Sequence, residues 1–154
     1  MYQLSRQNML FSKSFGYALR GILYIALASD NKERVQVGEV AMQLVVPKHF
    51  LGKVMKKVVK NKILDSTKGP YGGLSINERT FSTTLIELFM ITDENTQLNK
   101  CLLGLKECNP GRPCPLHHKM ANHKKELVKL LSNTTVGDLL EQNSLGFIKS
   151  LSAL

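Results

Sequence analysis

The chain is 154 residues long and 43% apolar, with 21 Lys and Arg against 12 Asp and Glu, a formal charge of +9. That length suits one domain or a small domain with an extension, and that apolar fraction excludes wholesale disorder. The lack of tryptophan and the 6% aromatic content argue against a base-stacking platform for single-stranded nucleic acid.

The positive charge is unevenly placed. Residues 1–79 hold 13 Lys and Arg against 5 Asp and Glu, whereas residues 80–154 hold 8 against 7. A basic half attracts phosphates by counterion release and speeds association. Many proteins are simply basic, but the asymmetry weakens that explanation. Met1 to Ser14 is polar, with no apolar run of the kind a secretory leader has. The longest apolar stretch, Ile22 to Ala28, is far too short to span a bilayer. The expectation is a cytoplasmic protein with no membrane partner.

In chain order, Ser14 to Ala28 predicts a helix. Tyr17, Leu19, Ile22, Leu23, Ile25, Ala26 and Leu27 make it mostly buried, and Ser29-Asp30-Asn31 ends it. Val35 and Val37 alternate as in a short strand or helix entry. Val37 to Leu44 predicts a second helix with Val40, Ala41 and Leu44 inward. After a very short break at Val45-Val46, Pro47 suits the first turn of a third helix, where its missing N–H costs nothing. There Phe50, Leu51, Val54, Met55, Val58 and Val59 recur at helical spacing. Lys48, Lys53, Lys56, Lys57 and Lys60 fall mostly on the other side. A solvated surface helix gives the same pattern. The short turn before it and a glycine-rich hairpin after it favour a helix-turn-helix that binds double-stranded DNA.

That hairpin is predicted from Ile63-Leu64-Asp65-Ser66-Thr67, a turn at Lys68-Gly69-Pro70-Tyr71-Gly72-Gly73, and a return strand at Leu74-Ser75-Ile76. It reads as a wing. Gly69 and its neighbours would let the backbone approach phosphates, with Lys68 and Tyr71 at the tip. Thr84 to Ile91 predicts a helix, and Thr92 to Pro115, rich in Gly, Pro and Asn, a loop. Leu116 to Leu131 predicts a longer helix with Met120, Leu127, Leu130 and Leu131 partly inward. Thr135 suits the cap of a last short helix holding Val136, Leu139 and Leu140.

All the cysteines lie in that loop. Cys101, Cys108, Cys114 and His117 read C-x6-C-x5-C-x2-H, and all four groups can bind a soft or borderline metal centre. Three unrelated buried thiols would be the plain alternative, but such a loop has little core in which to bury them. The set suits zinc or an iron–sulfur cluster, although no zinc-finger pair of the C-x2-C kind is present. A metal-free thiol switch, its thiolates favoured by Lys106, Arg112 and Lys119, is a third reading. His118 and His123 read as surface residues. Catalytic motifs are absent: there is no phosphate-cradling Gly-rich loop, no H-E-x-x-H and no G-x-S-x-G.

Tyr17-Ala18-Leu19-Arg20, the helix-turn-helix, the turn Lys68 to Gly73 and the cysteine run together resemble the Rrf-two superfamily of bacterial winged-helix regulators. That group includes the iron–sulfur assembly regulator IscR and the nitric-oxide sensor NsrR. The resemblance spans about Leu10 to Leu140. It implies a homodimer built through the long C-terminal helix, partly palindromic operators, and repression. It implies Cys101, Cys108 and Cys114 as cluster ligands, with His117 where the assembly regulator supplies its histidine to a two-iron, two-sulfur cluster. The nitric-oxide sensor uses an acidic residue where this chain has Gly16. Operator contacts map onto Pro47, Lys48, His49, Lys53 and Lys68. Lys68 stands where arginine is usual, and Gly52 where the assembly regulator has an acidic, base-reading residue.

The resulting expectation is a mainly α fold with a small β-hairpin wing, a winged helix-turn-helix followed by a long dimerisation helix. Residues 10–80 would form the DNA-binding domain and residues 81–154 the cysteine loop and helical dimerisation region. The function expected is transcriptional regulation, not catalysis. DNA contacts would come from Pro47, Lys48, His49, Lys53, Lys56, Lys68, Gly69 and Tyr71. A cluster at Cys101, Cys108, Cys114 and His117 would sense redox state, nitric oxide or iron–sulfur status. The alternatives are a cluster-free or zinc-bound thiol-switch regulator, and a winged-helix adaptor that binds a protein.

Overall fold

The computed structural model describes residues 11–93 and 109–141. Helix α1 (Lys13–Ala28) starts where Ser12 Oγ accepts a hydrogen bond from Phe15 N at 3.1 Å, satisfying a first-turn donor. It is buried on several sides because α3, α5, α2 and the hairpin all pack on it. Helix α2 (Val37–Gln43) and helix α3 (Lys48–Lys60) follow. A Cβ on Gly21 of α1 would collide with Met55 Cε, so the absent side chain leaves room for the buried Met55 of α3.

Strands β1 (Leu64–Thr67) and β2 (Gly73–Ile76) pair antiparallel, with Leu64 opposite Ile76 and Thr67 opposite Gly73. Val35 adds a single bridge on the far side of β2, exchanging two 2.8 Å hydrogen bonds with Leu74. The Val35 and Val37 alternation thus resolves into a bridge residue and a helix start. Helix α4 (Glu78–Ser82) was not anticipated. It is a five-residue turn made by a capping box, in which Asn77 Oδ1 accepts from Thr80 N and Thr80 Oγ1 accepts from Asn77 N. Too short and polar to show a periodicity, it left only the Asn77-x-x-Thr80 cap as a signal.

Helix α5 (Leu85–Asp93) runs two residues beyond the expected end. Thr92, assigned to the loop from sequence, is buried in the last turn, where its hydroxyl donates to Leu88 O at 2.9 Å. Helix α6 (His117–Asn133) and helix α7 (Val136–Glu141) complete the described elements. Thr135 caps α7 as expected, its Oγ1 accepting from Asp138 N at 3.1 Å. Segments 83–85 and 134–136 pair antiparallel, through Leu85 N to Thr134 O and Val136 N to Thr83 O, both 2.9 Å. This brings Val136 into the main core that also holds Leu88 and Phe89. Phe11, Phe15 and Phe89 close one end, with ring centroids 4.9 to 5.9 Å apart.

The architecture is a winged helix-turn-helix with appended helices, as the sequence predicts. Three further details differ. Pro47 is the residue before the first turn of α3, with extended ψ of 120°, and its carbonyl opens the helix by accepting from Leu51 N at 3.0 Å. Phe50 and Val59 are only half-buried, at the edge of the apolar stripe. Leu130 is 62% exposed, not inward, because α6 packs on α5 with Leu131 as its buried residue and Leu130 pointing away from that contact.

Candidate nucleic-acid interface

The apolar stripe of α3 fixes which lysines face outward. Leu51, Val54, Met55 and Val58 are buried against α1. Lys48, His49, Lys53, Lys56 and Lys60 therefore share the exposed side and line a groove of roughly 920 Å³, with Val37 of α2 and Ser66 and Leu74 of the hairpin opposite. Among the described residues no acidic side chain lines that groove. Lys60, one turn beyond Lys56, belongs to this face although it was not among the expected contacts.

The wing is tied to the helix-turn-helix. Gln36 Nε2, just before α2, donates to Pro70 O in the wing turn at 3.2 Å. The turn itself needs its glycines: Gly69 has φ of 107°, Gly72 N donates to Gly69 O at 3.0 Å, and a Cβ on Gly72 would collide with Thr67 O. Lys68 and Gly69 are exposed, and Tyr71 is 92% exposed, an aromatic held out into solvent. Pro47, Lys48 and His49 are exposed at the start of α3. The structure thus gathers the expected DNA contacts into two neighbouring sets, one on α3 and one on the wing. At the turn between α2 and α3, Val45 is 78% exposed with φ of 53°, a conformation costing a β-branched residue about 1–2 kcal/mol.

Sequence reading missed one support of this surface. Glu39 of α2 accepts hydrogen bonds from Tyr24 Oη of α1 and from Lys32 Nζ of the connecting loop. The bond from Lys32 holds the Glu39 carboxyl below its usual range, and that same bond raises the Lys32 ammonium. Burial, then the bond to Glu39, pushes the Tyr24 phenol up. The only sequence signal was an opposite-charge pair seven residues apart.

The expected metal ligands are only partly in view. Cys101 and Cys108 lie outside the described residues. Cys114 is a half-buried free thiol, and His117 is half-buried one turn later, its N–H donating to Cys114 O at 2.9 Å. That turn puts a thiol and an imidazole at the start of α6, and the donors are of the kind a soft or borderline centre takes. Among the described residues no three His, Cys, Asp or Glu groups gather into a metal-holding set. His123 pairs with Glu126 on the surface, at 3.7 Å. Nor is any described helix long and apolar enough to cross a membrane.

Comparison with known proteins agrees with this geometry. Residues 11–142 match the Rrf2 family, described as iron-dependent transcriptional regulators. A protein of Aquifex aeolicus assigned as an HTH-type transcriptional regulator is 33% identical over 134 residues, covering 86% of this chain and 92% of that one. The HTH-type transcriptional regulator NsrR of Geobacillus kaustophilus is 25% identical over 129 residues, covering 83% and 87%. Among solved structures, CymR, the global cysteine regulator of B. subtilis, superposes with a TM-score of 0.68 at 15% identity, covering 87% of this chain and 98% of that one. The T. potens IscR gives 0.66 at 13%, covering 90% and 91%; at such identities the likeness shows the fold alone.

Proposed function

The chain belongs to the Rrf2 family of transcriptional regulators, and from that premise we propose that it is a cytoplasmic, homodimeric DNA-binding repressor governed by a metal centre. The observation that carries the DNA half is the lysine-lined side of α3 continuing onto the wing. In this reading α3 enters the major groove through Pro47, Lys48, His49, Lys53 and Lys56. Lys68, Gly69 and Tyr71 of the wing hold the neighbouring backbone. Residues 10–80 act as the DNA-binding unit, and residues 81–154 as the cysteine segment and dimerisation region. The uncovered apolar side chains of α6 support pairing with a second copy, which would set two copies of α3 at a half-site spacing.

Cys101, Cys108, Cys114 and His117 would hold an iron–sulfur cluster of the two-iron, two-sulfur type. Bound there, it supplies a redox-active centre whose potential depends on its ligands. Cys114 and His117 flank the start of α6, so a change in the donor set acts directly on the helix proposed to carry the partner copy. The dimer geometry, and with it the match to an operator, then responds at a distance from the DNA.

Fluorescence anisotropy on duplex DNA at rising salt tests the first half. Log affinity is expected to fall linearly with log salt at a slope of about −0.9 per phosphate neutralised, and Lys53→Ala in both protomers to flatten it by about 2. A salt-independent affinity would overturn the DNA reading. Anaerobic purification with iron and sulfide assays tests the second half. Colourless, iron-free protein after reconstitution would replace the cluster with a zinc or thiol switch and leave DNA binding standing.

A further inference from the structure

Gly52 sits inside α3 on its exposed side, where glycine is the least favourable residue short of proline. Among the described residues a Cβ built there meets only Val37 Cγ1, at 4.0 Å, an ordinary contact. Two of the other described helix glycines are tightly crowded within the chain. Gly21 and Gly137 are crowded by Met55 and by the Phe81 carbonyl, whereas Gly38 meets only the flexible end of Lys48, with Nζ at 3.3 Å. Gly16 is open as well, but it lies on α1 and does not line the α3 groove. Packing therefore gives no reason for glycine at 52, and the space lies on the side facing the groove.

The floor beside that space is apolar, made by Val37, Met55, Val59 and Leu74, while the rim is lysine. The rim selects a polyanion. The floor and the missing side chain leave room for a small apolar group carried by that polyanion. In the major groove of duplex DNA such a group is the C5-methyl of thymine.

We propose that Gly52 is the point of closest approach between α3 and DNA, and that the groove beside it receives a thymine methyl, so that position 52 sets specificity. This deepens, and rests on, the DNA-binding reading above. Alanine at 52 adds helix propensity and fills the space the methyl needs, so folding and binding move in opposite directions.

The test uses the full chain. Duplexes are enriched from a random pool with wild-type protein, and each thymine of the selected site is then replaced by deoxyuridine, which removes only the methyl. Wild type is expected to lose roughly fourfold in affinity at one or two positions, the worth of one buried methyl. Gly52→Ala is expected to melt no lower than wild type, to bind the thymine duplex roughly tenfold more weakly, and to be indifferent to uracil at those positions. Uracil tolerated everywhere by wild type would overturn the inference without need of the variant. So would a Gly52→Ala protein that keeps both affinity and thymine preference. A wild-type protein that enriches no DNA at all would overturn the DNA-binding reading itself, and this inference with it.

Discussion

One oxygen of Glu39 accepts from Tyr24 Oη at 3.1 Å and from Lys32 Nζ at 2.7 Å, joining α1, the following loop and α2. Its effect on stability has a definite sign at each end of the pH scale. Glu39 titrates below its ordinary range, so its contribution is complete above about pH 4.5 and is lost as pH falls through the lowered folded value. Asp138, lowered by hydrogen bonds from the Thr135 backbone and side chain, behaves alike. Tyr24 and Lys32 titrate above theirs, so their contributions are complete below about pH 10 and are lost as pH rises through the raised values. Chemical denaturation at pH 4, 7 and 10.5 should therefore find a plateau at pH 7. Tyr24→Phe should lower that plateau by about 1 kcal/mol and flatten the alkaline loss. An unchanged alkaline limb would remove the clamp from the account of α2.

Among the elements, the wing depends most on single residues. Gly72 cannot carry a Cβ without striking Thr67 O, and Gly73, at φ of 155°, would press on Val35 O at 2.8 Å. Neither glycine belongs to the core that α1, α3 and α5 share. Gly72→Ala is accordingly expected to open the hairpin tip, lower DNA affinity by roughly tenfold and leave the helices intact. Circular dichroism and anisotropy on the same sample separate the two effects, and a variant that binds DNA like wild type would take the wing out of the interface. The wing turn was legible because Lys68 to Gly73 is turn chemistry throughout. Helix α4 was not, because its cause is a reciprocal cap between Asn77 and Thr80, and Thr80 Oγ1 also donates to Ile63 O, 17 residues back. Local periodicity carries neither fact.

For the whole molecule, the open question is what covers α6. Leu131 is its one described buried residue, while Met120, Leu127 and Val128 are half-covered and Leu130 is 62% exposed. Apolar surface that a 17-residue helix leaves bare among the described residues is what a second copy would bury. Leu130→Asp should give a folded monomer by sedimentation and reduce affinity for a two-half-site duplex at least tenfold, because the second α3 is no longer linked to the first. A dimer persisting in that variant would place the interface elsewhere.

The sequence by itself determined the helix-turn-helix, the wing and the side of α3 that carries charge. Each follows from short-range rules: apolar residues at 3.6-residue spacing choose the buried face, and whatever lies opposite must face water. It also located the thiol and imidazole donors along the chain, and the structure joins one such pair, Cys114 and His117, across a single turn. Tertiary structure alone decided the rest. Only packing could seat Val136 in the core through the pairing of segments 83–85 and 134–136, join Tyr24, Lys32 and Glu39, and turn Leu130 outward. Only packing, too, could leave Gly52 facing an open, apolar-floored groove. The physical reason is common to all four: each depends on which distant segment supplies the opposite wall, and no local pattern along the chain names that partner.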